Sequence, residues 1–172
     1  KPENVILEPS DDQRIAKVLD FGIAKFMSES EMAVTPLTGS GGIVGTPHYM
    51  SPEQCRGEPV GPASDIYALG CVLYELLTGR PPFQGESTHA LLYQHVSVTP
   101  TPPSKLVPDM PEYLDAAILK ALAKDLRDRF PMVTEFRTAL GMRVSGGLVD
   151  YLASIDTLPL AANLASESVA DD

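Results

Sequence analysis

Basic residues and cysteines are both scarce in this chain, and each shortage argues against a class of function. Lysine and arginine together number 13 against 23 aspartates and glutamates, which gives a formal net charge of −10 over 172 residues. An acidic chain of this kind argues against a nucleic-acid surface and fits a cationic or neutral partner. The two cysteines, Cys55 and Cys71, have no metal-ligand spacing and form no disulfide framework, so we expect a reducing, cytoplasmic compartment.

Long hydrophobic runs are absent as well. The most apolar late stretch, residues 148–164, is interrupted by Asp150, Asp156 and Pro159, each of which is costly inside a bilayer. We therefore expect no membrane span within these residues. Because the chain begins with Lys1 inside a motif described below, we also expect it to be part of a longer protein, whose membrane attachment stays open.

Periodicity divides the first half of the sequence into a hairpin, a long loop and a helix. Two apolar runs, residues 5–7 and 15–19, flank a turn-rich polar connection and predict a β-hairpin. Residues 23–50 have no sustained period and many small residues, which predicts a long functional loop. The clearest predicted helix spans residues 62–78, because apolar residues recur at steps of three and four and Gly79 stands at its end.

Three further helices are predicted in the second half. Residues 87–96 form one with Ser87 as its cap, residues 111–123 form one with a single apolar face, and residues 134–142 form the last. That apolar face consists of Leu114, Ile118, Ala121 and Leu122. The proline-rich stretch 99–111 predicts an extended loop. We expect one domain over residues 1–142 and a linker or tail over residues 143–172, and the fold class is α+β, mainly α, with about five helices.

The residues that could carry chemistry lie in short motifs of the first third of the chain. These are Lys1-Pro2-Glu3-Asn4, Asp20-Phe21-Gly22, Gly45-Thr46-Pro47 and Ser51-Pro52-Glu53. An amide oxygen at Asn4 and a carboxylate at Asp20, placed across a short hairpin, can hold Mg²⁺ on the phosphates of a nucleotide. Each motif alone is common, and an isolated Asp-Phe-Gly is most often an ordinary turn. Their joint occurrence in this order is specific.

Together the motifs resemble the C-terminal lobe of a Ser/Thr protein kinase of the bacterial eukaryotic-like type. The resemblance implies that Asn4 and Asp20 bind Mg²⁺ and ATP. It also implies that Lys1 reaches the transferring phosphoryl group and that Thr46 hydrogen-bonds toward Lys1. The lysine at position 1 and the form of residues 45–53 imply serine or threonine as the acceptor. The implied activity is ATP-dependent phosphorylation of proteins, in a parent protein that also has an N-terminal lobe as this lobe's partner.

The resemblance also assigns structural roles. Glu53 matches the glutamate that closes the activation segment, and Arg129 matches its buried ion-pair partner. Asp65 matches an aspartate at the start of the central helix that accepts hydrogen bonds from the catalytic-loop backbone. The alternative for Asp65 is a first-turn acid that only stabilises the helix dipole.

Regulatory and substrate-binding roles follow in the same way. Thr38 and Ser40 occupy positions where related kinases autophosphorylate, which allows for a dimer as a partner, and Thr35 is a weaker candidate. Glu3 and Glu75 match two positions that jointly bind an arginine of the substrate, which favours basic protein substrates. The alternative is that Glu3 faces solvent and Glu75 pairs near the central helix.

Several parts of a complete kinase do not occur in the 172 residues. These are the Gly-rich nucleotide loop, the lysine of the third strand, its glutamate partner and the aspartate that lies two positions before the catalytic-loop lysine. We therefore expect the chain alone to be inactive and its longer parent to be an active kinase. Two alternatives stay open: a non-catalytic peptide-docking module and a pseudokinase.

Overall fold

The computed structural model of the chain describes residues 5–10, 13–18 and 47–141, the first two ranges by their backbone alone. Contacts separate residues 1–46 from residues 47–172 as two compact units, and each unit is described by itself. Within the described ranges, no helix has the length and apolar character needed to cross a membrane. Of the predicted loop over residues 23–50, residues 23–46 lie outside the described residues, as does the predicted tail over residues 143–172.

Strands β1 (Val5–Ser10) and β2 (Gln13–Val18) form the predicted hairpin in the first unit. They pair antiparallel, with Val5 opposite Val18 and Ser10 opposite Gln13, so the ladder continues to a two-residue connection. The sequence pattern wrongly places residues 8–14 in the turn. Polar residues extend the ladder because the pairing is made by backbone groups, and Pro9 is tolerated in a two-stranded sheet whose outer edges need no partner.

Five helices follow in the described part of the second unit, in agreement with the predicted number. They are α1 (Pro52–Arg56), α2 (Pro62–Thr78), α3 (Thr88–Ser97), α4 (Glu112–Ala121) and α5 (Val133–Ala139). Short 3₁₀ turns occur at Pro47–Tyr49, Pro103–Lys105 and Leu126–Asp128. The mainly helical fold class is therefore confirmed for this region.

Helix α2 has the predicted bounds, and its ends explain why. The Ser64 hydroxyl accepts a hydrogen bond from the Gly61 N–H at 3.2 Å, and Pro62 occupies the first helical position, where its missing N–H has no cost. At the other end Gly79 adopts a φ of +75° and donates to the Glu75 carbonyl at 2.8 Å, which stops the helix. Leu69 belongs to the apolar period that predicts this helix, but its side chain is exposed.

The core of the second unit forms where α2 packs on α4. The two helices approach so closely that a Cβ atom built on Gly70 would lie 3.0 Å from the Ala121 Cβ. All four residues of the predicted apolar face of α4 are buried. The largest fully buried side chains include two tyrosines of α2, Tyr67 and Tyr74, whose hydroxyls both find hydrogen-bond partners.

Helix α1 is absent from the sequence prediction because five residues are too few to show a helical period. A reciprocal cap holds it instead, since the Ser51 hydroxyl accepts from the Gln54 N–H at 3.4 Å and the Gln54 side chain accepts from the Ser51 N–H at 2.9 Å. The predicted cap of α3 is confirmed, as Ser87 accepts from the Ala90 N–H. Helix α5 ends earlier than predicted, and Gly141 beyond it adopts a φ of +72°.

Candidate functional site

Most of the predicted site residues lie outside the described part of the chain. They are Lys1, Glu3, Asn4, Asp20, Thr35, Thr38, Ser40 and Thr46. The structure does describe Glu53, Asp65, Glu75 and Arg129. Among the described residues, no group of three or more His, Cys, Asp or Glu side chains could hold a metal ion.

Glu53 and Arg129 form a buried ion pair that joins α1 to the loop between α4 and α5. Their side chains are 1% and 0% exposed. Arg129 donates from Nη1 to Glu53 Oε1 and from Nη2 to Glu53 Oε2, both at 2.9 Å, which is the parallel two-bond geometry of a strong pair. The Ser64 hydroxyl at the start of α2 donates to Oε1 at 2.6 Å. We call Glu53, Arg129 and Ser64 the ion-pair cluster.

The remaining donors of Arg129 are satisfied by backbone carbonyls. Nε donates to the Ala123 carbonyl at 2.8 Å, Nη1 to the Ala63 carbonyl at 3.0 Å and Nη2 to the Lys124 carbonyl at 3.3 Å. The guanidinium carbon also lies 4.8 Å from the centre of the Tyr67 ring. All five N–H groups of the guanidinium thus have acceptors, which is the condition under which a buried charge is tolerated.

The Glu53 carboxyl stays ionised in this setting. Burial by itself raises its pKa, because it penalises the charged form. The hydrogen bonds from Arg129 and Ser64 outweigh burial and lower the pKa to about 2. The ion-pair cluster therefore keeps its charges throughout the physiological pH range.

Asp65 and Glu75, both on α2, have different surroundings. Asp65 is exposed in the first turn of the helix, and its predicted partner, the catalytic-loop backbone, lies outside the described residues. Glu75 is half-buried near the other end, and its Oε2 accepts a hydrogen bond of 2.6 Å from the Tyr49 hydroxyl. Sequence reasoning missed Tyr49 because this contact joins positions far apart in the chain, although Tyr49 belongs to the motif quoted from residues 45–53.

A second buried polar group lies on α3, which the 3₁₀ turn Pro47–Tyr49 contacts together with α2. His95 of α3 is fully buried, and its Nδ1 lies 2.9 Å from the Tyr67 hydroxyl. The Phe83 ring meets the imidazole edge-on, with centroids 4.9 Å apart. Lys124 Nζ donates to the His95 carbonyl at 2.7 Å and lies 4.1 Å from the centre of the Phe83 ring. We call His95, Phe83 and Lys124 the histidine cluster.

Burial lowers the pKa values of two members of the histidine cluster, His95 and Lys124. Burial and the nearby Lys124 ammonium lower the pKa of His95 to about 4, so the imidazole is neutral at pH 7. Burial also lowers the pKa of Lys124 to about 8. The sequence shows no local signal for this cluster, since His48, His89 and His95 are too scattered for a metal site and carry no other motif.

Neither cysteine is a candidate nucleophile. Cys71 is fully buried in the core, as expected from its apolar surroundings in the sequence, and burial raises the pKa of its thiol far above the usual range. Cys55 is half-buried, and burial raises its pKa to about 11. Both thiols are therefore protonated and unreactive at neutral pH.

Comparison with known proteins assigns the family. The sequence matches the protein kinase domain over residues 1–138, so the chain belongs to the protein kinase family. It is 44% identical to the probable serine/threonine-protein kinase PknB of Bifidobacterium longum over 171 residues, which cover 99% of this chain and 24% of that protein. It is 46% identical to the serine/threonine-protein kinase PknB of Mycolicibacterium smegmatis over 147 residues, which cover 86% of this chain and 22% of that protein.

The same relationship extends to Mycobacterium tuberculosis, whose serine/threonine-protein kinase PknB is 44% identical over 147 residues. The chain spans about a quarter of the length of the curated relatives it matches. The resemblance to Ser/Thr protein kinases of bacteria is thereby confirmed at the level of the family. Proteins of this family generally use ATP and Mg²⁺ and act on protein substrates.

Proposed function

We propose that the protein to which these residues belong transfers the γ-phosphoryl group of ATP to serine and threonine residues of other proteins. The observation that carries this proposal is the kinase-domain match over residues 1–138. The sequence also contains all three of Lys1, Asn4 and Asp20. A kinase that has lost its activity often lacks one of these side chains. Phosphoryl transfer depends mainly on positioning and on stabilising charge, so each retained residue has a definable task.

The metal and nucleotide would be held by Asn4 and Asp20. One amide oxygen and one carboxylate suit Mg²⁺, which takes one or two protein ligands and completes its shell with phosphate and water oxygens. When bound, the ion neutralises charge on the nucleotide phosphates. Lys1 would contact the transferring group, and Thr46 would orient Lys1 by a hydrogen bond.

The contacts of the described residues support a docking platform over residues 47–56, directly after Thr46. The turn Pro47–Tyr49 is tied to α2 by the Tyr49–Glu75 hydrogen bond, and α1 is tied to the loop after α4 by the ion-pair cluster. A fixed platform favours transfer because misplacement of a substrate by about 1 Å can cost roughly a hundredfold in rate. Phosphorylation of Thr38 and Ser40 by a second copy would add charge to the loop before this platform.

Glu75 would select basic substrates together with Glu3. Two carboxylates that converge on one guanidinium give charge-assisted bonds of roughly 1.5–3 kcal/mol each when shielded from water. The Tyr49 hydroxyl, 2.6 Å from Glu75 Oε2, would hold that carboxylate in a fixed orientation. The net charge of −10 would add weak attraction for basic peptides, which salt screens.

Phosphorylation by the full-length protein tests the proposal. Labelled ATP, Mg²⁺ and a basic protein substrate are expected to give phosphoserine and phosphothreonine, and Asp20→Ala is expected to abolish the product. Asp128→Ala, which changes an exposed aspartate of the second unit, is the matched control and should retain activity. Near-normal turnover in Asp20→Ala would contradict the metal-binding role of Asp20. If the unaltered protein formed no product, the proposal itself would be contradicted.

Substrate choice is tested on a peptide array with the same protein. Peptides with arginine two or three positions before the target serine should react faster than their alanine counterparts, and Glu75→Gln should reduce that preference. Equal rates for the two peptide sets would remove the basic-substrate part of the proposal without affecting the kinase activity itself.

A further inference from the structure

His95 is a fully buried polar side chain with one hydrogen-bonding atom unaccounted for. Nδ1 lies 2.9 Å from the Tyr67 hydroxyl, but Nε2 has no hydrogen-bond partner in the part of the chain that the structure describes. An unpaired buried polar atom is destabilising, and a leucine in place of His95 would avoid that cost. An imidazole at this position therefore requires an explanation.

The ring has little freedom to turn its open nitrogen elsewhere. Phe83 packs edge-on against the imidazole with centroids 4.9 Å apart, and the Tyr67 ring lies on another side with centroids 5.8 Å apart. Lys124 fixes the backbone of the same residue, because its ammonium donates to the His95 carbonyl at 2.7 Å. Two side chains from outside α3 thus pack on the ring, and a third binds the backbone that carries it.

The backbone carbonyls of the 3₁₀ turn Pro47–Tyr49, which packs against α3, can act as acceptors for a hydrogen on His95 Nε2. Burial and Lys124 lower the pKa of His95, whereas the backbone of His48 acts in the opposite direction and raises it. A backbone group that favours the protonated imidazole must be an acceptor, because it stabilises a ring N–H. The turn that contains His48 contacts α3, which carries His95, and no hydrogen bond to Nε2 is formed within the described residues.

The Tyr67 hydroxyl determines which ring nitrogen carries the hydrogen. Burial strongly raises the pKa of Tyr67, so its proton is firmly held and available for donation. If Tyr67 donates to Nδ1, the single hydrogen of the neutral imidazole lies on Nε2. From there it can form a hydrogen bond to a carbonyl oxygen.

We propose that His95 is a positioning residue for phosphoryl transfer, whose Nε2–H binds the His48 carbonyl and fixes the turn that follows Thr46 when substrate docks. This inference rests on the proposed function. The hydrogen bond would connect α2, α3 and the docking platform through one imidazole. The atom that lacks a partner here gains one when the turn closes the remaining gap, so the cost of the unpaired nitrogen is removed in the docked state.

The tautomer of His95 gives a test that is independent of activity. In the 172-residue chain labelled with ¹⁵N-histidine, long-range ¹H–¹⁵N correlations at pH 7 are expected to show hydrogen on Nε2 and none on Nδ1. Hydrogen on Nδ1 would overturn the proposal. In Tyr67→Phe, which removes the donor to Nδ1, the preference for hydrogen on Nε2 should weaken, and an unchanged preference would contradict the assignment of the tautomer to Tyr67.

Two substitutions of His95 in the full-length protein separate positioning from packing. The amide nitrogen of Gln reaches about as far as Nε2, whereas that of Asn reaches only as far as Nδ1. We expect His95→Asn to lower kcat by about tenfold or more with little change in KM for ATP, and His95→Gln to retain kcat within roughly threefold. Both variants should lose thermal stability, and His95→Asn somewhat more, because it removes one methylene more than His95→Gln.

Equal losses of kcat in the two variants would indicate a purely structural role and overturn the proposal. Absence of phosphorylation by the unaltered full-length protein would instead remove the proposed function, and with it the catalytic consequence of the hydrogen bond. The tautomer measurement would still decide whether the hydrogen on Nε2 exists, so the two failures remain distinguishable.

Discussion

Glu53 and Arg129 of the ion-pair cluster and His95 of the histidine cluster are all buried, but only the ion-pair cluster is fully hydrogen-bonded. Both carboxylate oxygens of Glu53 and all five N–H groups of Arg129 have partners within the described residues. His95 has a partner at Nδ1 and none at Nε2. Tyr67 touches both clusters, since its ring lies under Arg129 and its hydroxyl binds His95.

This difference separates a fixed part of the fold from an adjustable one. A buried pair with every donor satisfied has one favourable arrangement, so it holds α1, the start of α2 and the loop after α4 in place. An imidazole with one open nitrogen can gain a hydrogen bond when a neighbouring segment shifts. We therefore expect changes in the ion-pair cluster to affect stability first, and changes in the histidine cluster to affect both stability and positioning.

Breaking the ion pair is expected to have the largest effect. Glu53→Gln leaves the Arg129 guanidinium buried without a counter-charge, which should lower the free energy of unfolding by about 3–5 kcal/mol. Urea unfolding of the 172-residue chain measures this loss. Glu135→Gln, an exposed glutamate in the first turn of α5, is the control and should change the stability by less than about 0.5 kcal/mol. A loss below about 1 kcal/mol in Glu53→Gln would contradict the structural role of the pair.

Lowering the pH should reduce the stability of the folded chain in two pH ranges, one for each cluster. Both groups have lower pKa values when folded than when unfolded, so the unfolded chain binds more protons and stability falls as pH falls. His95, with a pKa of about 4 against 6.5, should cost stability between pH 6.5 and 4, and Glu53, with about 2 against 4.5, between pH 4.5 and 2. Each shift corresponds to about 3 kcal/mol.

Urea unfolding at a series of pH values measures both stages. His95→Gln should remove the upper stage and leave the lower one, because Gln does not titrate. A variant that kept the full loss of stability between pH 6.5 and 4 would show that another group titrates there.

Removing the hydroxyl that links the clusters should have an intermediate effect. Tyr67→Phe leaves Nδ1 of His95 without its partner, which should cost about 1–3 kcal/mol. The ring beneath Arg129 remains, so the ion-pair cluster should be unaffected, and the stability loss between pH 4.5 and 2 should persist unchanged. Loss of that acid stage in Tyr67→Phe would mean that the two clusters are coupled more strongly than their contacts suggest.

The sequence predicts the elements that have a strong period or a clear end signal, and it fails where a contact is made across the chain. Helix α2 is predicted with its correct bounds because of its apolar period and Gly79, and α3 because of Ser87. Glu53 and Arg129 are predicted as partners from the resemblance, and the two side chains are in contact. That prediction depends on motif position and not on any local pattern around either residue.

The features that the sequence does not predict are tertiary in origin. Helix α1 is too short for a period and depends on one reciprocal cap. The contacts from Tyr49 to Glu75, from Tyr67 to His95 and from Lys124 to the backbone of α3 join residues 26 to 30 positions apart. Nothing near His95 in the sequence shows that its imidazole is buried with only one ring nitrogen hydrogen-bonded, because burial of a side chain is a property of the packed helices.

The smallest effect is expected at a second ion pair, Arg56–Glu58, at the C-terminal end of α1. This pair tests whether the Glu53–Arg129 pair stabilises the fold because it is buried or only because it is charged. Arg56 Nη1 lies 3.4 Å from Glu58 Oε2, but the two side chains are 39% and 50% exposed. Water already solvates both groups, so Arg56→Ala should change the free energy of unfolding by less than about 1 kcal/mol. Any loss should shrink further in 1 M salt, where the screening length falls to about 3 Å. Urea unfolding at low and high salt measures both quantities. A loss above about 2 kcal/mol that persists in high salt would mean that Arg56 contributes to α1 by packing, and that exposure alone does not distinguish the two pairs.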